Sequence, residues 1–227
     1  MFGYYAAAAT ALFSALLISP AVADQQNVTG LQGTWSSGAG LVSTGSGFAN
    51  PVNFSFTYPP VTGISYSFTD LGQFEQAEYQ MQANGSQPNC ITGTVLWQHG
   101  AWESLANGSI ILNPISIDGR LQVQDPCAAQ SNVLFQFNTT VLISSWRVFS
   151  DPQRGPKLQM YKYDGSPYTP MYLIANPPNM LPTETLSSNL TVSGDGVLSA
   201  AHESVRKVGL AVLVGVVGIV GGVMAVL

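Results

Sequence analysis

The stretch ISYSFTDLGQF, residues 64–74, decides the fold class of this chain. Ile64, Tyr66 and Phe68 alternate with polar residues, and this period of two predicts a strand with one buried face. The alternation stops at the turn sequence Asp70–Gly72, after which a second run begins. Because the two runs are separated by so short a turn, we expect them to pair as an antiparallel hairpin.

The same arrangement recurs along the chain and predicts an all-β fold. ESLANGSIIL contains Asn107-Gly108 and ISIDGRLQV contains Asp118-Gly119, pairs that tolerate the positive φ angles of tight hairpins. VLFQF, VLISSWRVF and LQMYKYDGSPY are further strand candidates, and no long helical pattern competes with them. Consecutive hairpins make sequence neighbours pair, so we expect an antiparallel meander, closed as a barrel or packed as a β-sandwich.

Two further stretches refine this prediction. The segment QFEQAEYQM, residues 73–81, matches both helical and strand spacing, and we interpret it as a strand with a bulge near Phe74. The segment LQGTW contains Gly33 and Trp35, and this Gly-x-Trp pattern resembles the opening of lipocalin-type barrels, in which the Trp closes the barrel floor. The resemblance points to a lipocalin-like barrel, with a β-sandwich as the alternative.

Several features indicate the secretory pathway. Residues 1–23 are apolar and end in Ala21-Val22-Ala23, a small-x-small pattern, so we expect a signal peptide that is cleaved before Asp24. The two cysteines, Cys90 and Cys127, are expected to form a disulfide in such an oxidising compartment. Asn-x-Ser/Thr acceptors for N-glycosylation are spread along the chain, at Asn27, Asn53, Asn84, Asn107, Asn138 and Asn189.

Composition and motifs exclude several classes of function. Only 8% of the residues are charged, and residues 24–205 carry all 12 carboxylates against five bases, which leaves no basic stripe for nucleic acid. His99 has no Gly-x-Ser-x-Gly elbow to accompany it, and bonded cysteines could not ligate zinc. Glu75 and Glu78 would lie on opposite faces of a strand. We therefore expect no catalytic residues, no cofactor and no metal site, and hence no enzyme.

The last residues of the sequence, 208–227, contain no charge. As a helix they would span about 30 Å, the thickness of the hydrocarbon core of a bilayer. A polar stalk at 187–207 precedes them, and the lumenal all-β domain is expected at 24–186. Two interpretations stay open: a transmembrane helix with the domain in the lumen, and a glycosylphosphatidylinositol (GPI) signal with small residues at Ser193–Gly196.

One span of the expected domain lacks glycosylation acceptors. Residues 141–183 hold four of the five bases of the domain, together with tyrosines and a tryptophan, and these residue types are favoured where proteins dock. The alternative is that the aromatic residues belong to the core. We expect a partner surface here, with candidate residues Trp146, Arg147, Tyr161, Tyr163, Tyr168 and Tyr172.

Long strings of the chain resemble one known family. The strings LQGTWSSG, ISYSFTDLGQFEQAEYQ, GTVLWQHGAWESLANGSIILNPI and MYLIANPPNMLPTETL are similar to the fungal Rot family, named for reversal of Tor lethality, over residues 31–186. The resemblance implies an endoplasmic-reticulum membrane glycoprotein that assists protein folding and is needed for cell-wall β-1,6-glucan. It also implies a retained type I transmembrane helix rather than a GPI signal.

The resemblance leads to one functional hypothesis and two alternatives. We expect a membrane-anchored chaperone that works without ATP, because the sequence has no nucleotide-binding motif. Its partners would be unfolded or maturing secretory glycoproteins, proteins needed for β-1,6-glucan synthesis, and other lumenal chaperones. The alternatives are a lipocalin-like carrier of a small ligand and a GPI-anchored cell-wall protein.

Overall fold

The computed structural model describes residues 30–187 and the pair 197–198. The expected signal peptide at 1–23 and the expected membrane segment at 208–227 lie outside the described residues, as does most of the expected stalk. Within the part of the chain that is described, no helix is both long enough and apolar enough to cross a membrane.

The described chain is built from β-strands that pair in antiparallel fashion, which confirms the all-β prediction. A two-stranded sheet consists of β2 and β3, and the other strands form an eleven-stranded sheet. The strands are β1 Gly33–Ser37, β2 Ala49–Asn50, β3 Ser55–Phe56, β4 Gly63–Phe68, β5 Gln73–Ala83, β6 Ile91–Ser104, β7 Ile110–Pro114, β8 Arg120–Gln124, β9 Asn132–Gln136, β10 Val141–Asp151, β11 Gly155–Lys162, β12 Met171–Ala175 and β13 Val197–Leu198.

Strand β6 joins the large sheet back to itself. Its first half pairs with β8 and its second half with β7, and β7 also pairs with β10. From β6, the pairings run through β5, β4, β1, β12, β11 and β10 to β7 and so return to β6. We call this closed circuit of strands the ring. The hairpin of β8 and β9 leaves the ring where β6 changes partners, and β13 pairs with β9.

The change of partners on β6 depends on a glycine. A Cβ atom added at Gly100 would lie 2.1 Å from the backbone oxygen of Asn113 and 2.7 Å from the Cα atom of Pro114. No side chain fits at that distance, so the close approach of β7 to β6 requires glycine at this position.

The interior of the ring holds the larger apolar cluster, which we call the first core cluster. Trp35 is fully buried in it, and its indole Nε1 donates a hydrogen bond to the backbone oxygen of Leu31 at 2.7 Å. Gly33 has a φ of 127°, and a Cβ there would lie 2.4 Å from Leu173 Cδ1. The Gly-x-Trp pattern therefore has a packing reason in this chain. The buried members are Leu31, Trp35, Tyr66, Phe68, Phe74, Ile110, Leu112, Ile143, Leu158, Met160 and Met171.

A second core cluster lies on the opposite face of β5 and β6. Loops on the outside of the ring supply Val42, Phe48 and Ala49, which pack with strand residues of that face. Because the first half of β5 is therefore buried on both faces, its sequence does not show a simple period of two. The predicted bulge near Phe74 is wrong, since β5 keeps a continuous register with β4 and with β6.

The two cysteines are bonded to each other and connect two turns. Cys90 lies in the turn before β6, and Cys127 lies in the turn between β8 and β9. The bond therefore attaches the tip of the β8–β9 hairpin to the ring.

Replacing both cysteines, as Cys90→Ser with Cys127→Ser, is expected to lower the free energy of unfolding by about 3–4 kcal/mol. The reason is that the bond closes a loop with a sequence separation of 37, which restricts the unfolded chain. Urea unfolding followed by tryptophan fluorescence measures this difference. The reduced wild-type protein is the control and should match the double variant. A loss below about 1 kcal/mol would contradict the expectation.

Candidate functional site

The outer surface of the ring has two unlike halves. Over β4, β5 and β6, the segment 38–60, which contains β2 and β3, and the loop 176–187 form a second layer that buries the outer side chains. Over β10, β11 and β12, outer side chains such as those of Arg147 and Phe149 are exposed. The covered half shows what holds the fold together, and the uncovered half is the candidate functional site.

A buried carboxylate fastens the second layer to β5. Glu75 is fully buried, and its Oε1 accepts hydrogen bonds from Gly45 N at 2.6 Å and from Trp97 Nε1 at 2.9 Å. Its Oε2 accepts a bond from Leu181 N at 2.5 Å. Burial raises the pKa of Glu75, although the three hydrogen bonds and nearby His99 act in the opposite direction. One side chain thus holds two loops that are distant in the sequence.

A second buried carboxylate fastens the end of the described domain. Asp118 Oδ1 accepts a hydrogen bond from Ser187 N at 2.8 Å, and Oδ2 accepts one from Leu186 N at 2.8 Å. His99 Nε2 lies 2.9 Å from the same Oδ2. Burial acts to raise the pKa of Asp118, but the hydrogen bonds from Leu186, His99 and Ser187 outweigh it and lower the pKa.

A buried arginine stands beside this carboxylate. Arg120 is 1% exposed, and its Nη1 donates to the backbone oxygens of Ile117 at 2.6 Å and Gly119 at 2.8 Å. The guanidinium lies over the ring of Phe54, 4.6 Å from its centroid. Burial lowers the pKa of Arg120 to about 10, while the charge of Asp118 acts to raise it. Arg120 therefore belongs to the covered half and is absent from the partner surface.

A hydroxyl network joins the same loops to β1 and β4. Thr34 Oγ1 and Thr44 Oγ1 each lie 2.6 Å from Ser67 Oγ. Thr44 Oγ1 also donates to the backbone oxygen of Asn179 at 2.7 Å, and the backbone N–H of Asn179 donates to Thr34 Oγ1 at 2.7 Å. The outer polar residues of β1 and β4 are therefore occupied by the second layer.

These polar groups are buried and hold the second layer in place. His99 and Asp118 are fully buried, and the His99 ring packs against Trp97 with the centroids 4.6 Å apart. Glu75 faces the second layer, whereas Glu78 lies on the alternate side of β5 and hydrogen-bonds to Gln76 and Gln80. Among residues 30–187 and 197–198, no group of three or more His, Cys, Asp or Glu side chains could hold a metal ion.

The outer side chains of β10, β11 and β12 form rows of aromatic and cationic residues. Phe149, Lys157 and Tyr172 occupy paired positions on the three strands. Lys157 Nζ lies 5.5 Å from the centroid of the Phe149 ring, and the Arg154 guanidinium lies 3.6 Å from the centroid of the Tyr172 ring. Arg147 pairs with Gln159 in the adjacent row. We call this surface the aromatic–cationic face; it comprises Arg147, Phe149, Arg154, Lys157, Tyr161 and Tyr172.

The structure separates the candidate partner residues. Trp146 and Tyr168 pack against the first core cluster, because Trp146 alternates with Arg147 along β10 and Tyr168 contacts the Tyr66 ring edge-on. Arg147 is exposed and Tyr163 is 77% exposed. The described glycosylation acceptors are all exposed and lie on other parts of the chain, at Asn53, Asn84, Asn107 and Asn138; Asn27 and Asn189 lie outside the described residues.

Sequence reasoning did not find the fastening residues. The hairpin predicted at Asp118-Gly119 is wrong, because the strands on either side of it, β7 and β8, each pair with β6 and not with each other. No local motif marks Glu75 as a buried residue. The signal that could have found them is the scarcity of charge, at 8% of residues, since an acidic residue inside an apolar run then needs a reason. Phe149 also lacked any motif, because only pairing across strands places it beside Lys157.

Comparison with known proteins gives the family. The family Rot1, described as a fungal chaperone for protein folding within the endoplasmic reticulum (ER), matches residues 31–209. The chain belongs to the Rot1 family. This Rot1 assignment confirms the family expected from the sequence strings, and the family description is that of an ER chaperone.

Relatives in other fungi have the same family name. Protein rot1 of Botryotinia fuckeliana is 42% identical over 175 residues, which cover 77% of this chain and 66% of the relative. Protein ROT1 of Saccharomyces cerevisiae is 40% identical over 180 residues, which cover 78% of this chain and 70% of the relative. Protein rot1 of Aspergillus niger is 40% identical over 181 residues, with 79% and 77% covered. The chain thus spans about two thirds to three quarters of these relatives, and no solved structure matches it.

The variant Asp118→Asn is expected to lower the free energy of unfolding at pH 7 by about 1–3 kcal/mol, because an amide cannot accept all the bonds made to the carboxylate. The pKa of Asp118 is lowered in the folded state, so its stabilisation is present above the ordinary Asp pKa and is lost as the pH falls. The difference in the free energy of unfolding between wild type and Asp118→Asn should therefore become smaller below about pH 4.

Urea unfolding of both proteins between pH 7 and pH 3 measures this difference. Asp70→Asn, at an exposed turn residue, is the matched control and should stay close to wild type at every pH. A gap between wild type and Asp118→Asn that stays constant down to pH 3 would contradict the role assigned to Asp118.

Proposed function

We propose that the chain is a lumenal ER chaperone, anchored in the membrane by residues 208–227, which holds unfolded segments of maturing glycoproteins on its aromatic–cationic face without ATP. Proteins needed for cell-wall β-1,6-glucan synthesis are among its proposed clients, and other lumenal chaperones among its partners. The proposal includes a lipocalin-like barrel as the shape of the ring. The family description of Rot1 as an ER chaperone supports the general function.

One observation carries the proposal: the aromatic–cationic face is uncovered, whereas the opposite half of the ring is buried under the second layer. The bases of this face are four of the seven in the whole sequence once Lys162, at the end of β11, is included. Lys162 Nζ lies 5.4 Å from the centroid of the Tyr168 ring. A surface of this kind can contact apolar, aromatic and acidic side chains of a client, because its rings and cations interact with all of them.

Glycosylation supports the same assignment. Residues 141–183 contain no acceptor, so N-glycans would not be attached to β10, β11 or β12. Glycans at the exposed acceptors elsewhere would solvate a chain that has few charged residues. This arrangement leaves the aromatic–cationic face accessible to another polypeptide.

A second candidate function rests on one polar atom in the ring. Gln98 is fully buried, its Nε2 donates to Gln76 Oε1 at 2.8 Å, and its own Oε1 has no hydrogen-bond partner among the described residues. A ligand that donates a hydrogen bond would satisfy it, as the small-ligand carrier requires. Binding of a fluorescent fatty-acid probe to the purified chain tests this alternative, and Gln98→Leu should weaken such binding.

The double variant Phe149→Ala with Tyr163→Ala is expected to lower suppression of aggregation at least about threefold. It removes the exposed Phe149 ring from the aromatic–cationic face and the exposed Tyr163 ring from the turn directly after β11. The measurement is light scattering from a denatured, reduced client, with the full glycosylated chain added near stoichiometry and no nucleotide. Leu71→Ala is the control, since Leu71 is 85% exposed in the turn between β4 and β5. Equal suppression by the double variant and by Leu71→Ala would reject the role of the aromatic–cationic face in client binding. No suppression by wild type would reject the chaperone function.

A further inference from the structure

Strand β9 is the second strand from one end of the large sheet, and only the two-residue strand β13 lies beyond it. Its neighbour β8 takes the hydrogen bonds of alternate residues, as shown by the bonds from Phe137 N to Gly119 O at 2.9 Å and from Asp125 N to Ser131 O at 2.9 Å. The register between the two strands is continuous, so the N–H and C=O groups of Asn132, Leu134 and Gln136 point away from β8. They form a row of backbone donors and acceptors on the side away from β8, which we call the β9 edge.

The β9 edge is only partly occupied. Val197 pairs with Phe135 and Leu198 with Leu134, and these two residues are the whole of β13. No other described strand pairs with β9 on this side. Among the described residues, β9 thus accepts an antiparallel strand on this side, and the backbone of Asn132 and Gln136 has no strand partner there.

The β9 edge lacks the devices that usually protect an edge strand. Residues 131–138, SNVLFQFN, contain no charged residue, no proline and no glycine. The pairing with β8 has no bulge that would turn the edge away. Edge strands of soluble proteins are normally protected in one of these ways, because an exposed apolar edge pairs with other chains.

The two faces of the hairpin differ in chemistry. Val133 and Phe135 are half-buried and lie on one face, opposite Val123 and Leu121 of β8. Leu96 of β6 continues this row beyond Leu121. The other face carries mostly polar side chains, namely Arg120, Gln122, Gln124, Asn132 and Gln136, together with the apolar Leu134. A strand added at the edge would therefore place every second side chain against apolar neighbours.

The β8–β9 hairpin is held in position before any partner arrives. The bond between Cys90 and Cys127 attaches its tip to the ring. Tyr58 links the hairpin to the second layer, with its hydroxyl 2.8 Å from Gln122 Oε1 and 2.9 Å from Gln124 Nε2. A fixed edge requires less ordering when a flexible chain binds to it.

We propose that the β9 edge is a binding site for extended, apolar segments of unfolded polypeptides, which add to the sheet as an antiparallel strand and displace β13. The site is separate from the aromatic–cationic face and rests on the proposed chaperone function. The pairing of β13 identifies the occupant as polypeptide backbone, and the uncharged edge with its apolar face selects apolar segments. A longer client strand outcompetes β13 because it makes more ladder hydrogen bonds than a two-residue strand.

The variant Leu134→Pro tests this site. It removes an N–H that points away from β8, at the position where Leu198 of β13 pairs, and leaves the hydrogen bonds to β8 in place. Leu134→Ala is the matched control, because it shortens the side chain and retains the N–H. The probe is a fluorescein-labelled decapeptide of alternating Val and Thr, and its binding to the full chain in mild detergent is followed by fluorescence anisotropy. We expect Leu134→Pro to weaken binding about tenfold or more and Leu134→Ala to weaken it less than about threefold.

Two measurements keep the test independent of the folding of Leu134→Pro. Leu198→Pro weakens the competing strand β13 without altering β9, and it should tighten peptide binding. In wild type, hydrogen exchange followed by mass spectrometry should show slower exchange across residues 132–136 when the peptide is added.

The outcomes separate this proposal from the proposed function. Weaker binding by Leu134→Pro, tighter binding by Leu198→Pro and protection of residues 132–136 would support the β9 edge. A different result would reject peptide binding at the β9 edge: neither substitution changes peptide binding, and residues 132–136 gain no protection. The chaperone function would still stand if wild type suppresses aggregation. If wild type binds the peptide without suppressing aggregation, the β9 edge stands and the chaperone function fails.

Discussion

The hydrogen bonds to the carboxylate of Glu75 hold the second layer on the ring, and the rest of the structure depends on them. The carboxylate is fully buried, and it accepts hydrogen bonds from the backbone of two loops and from the Trp97 indole. Without it, two backbone N–H groups would lose their partner at the boundary between the ring and the second layer. Asp118 acts in the same way on residues 186 and 187. Two acidic side chains thus connect the closed sheet to the loops outside it.

The same connections create the functional asymmetry of the molecule. Loops are held over β4, β5 and β6 because the carboxylates and the hydroxyl network lie there. The outer side chains of β10, β11 and β12 have no corresponding layer, and they are aromatic and cationic. Four of the five Lys and Arg residues among the described residues, Arg147, Arg154, Lys157 and Lys162, lie on or beside this surface, while Glu75 and Asp118 hold the second layer from inside. That division of labour suits a chaperone, which requires accessible surface rather than a reaction centre.

The change of partners on β6 has a second consequence. Because β7 pairs with one half of β6 and β8 with the other half, the β8–β9 hairpin leaves the ring, and β9 has only the two-residue strand β13 beyond it. The sheet therefore combines a closed circuit, in which the backbone groups of neighbouring strands bond to each other, with one strand that is partly open. The disulfide and Tyr58 hold this open strand against the rest of the molecule.

Local patterns in the sequence determined the antiparallel all-β class, because alternation and turn residues act over a few positions, as in residues 64–74 and at Asn107-Gly108. They also indicated the pairing of the only two cysteines and the opposite faces of Glu75 and Glu78. Only the tertiary structure decided that Glu75 is a fastening, that Trp146 is core and that Phe149 lies beside Lys157. The physical reason is distance along the chain: Leu181 meets Glu75 across 106 positions, and no local period encodes such a contact.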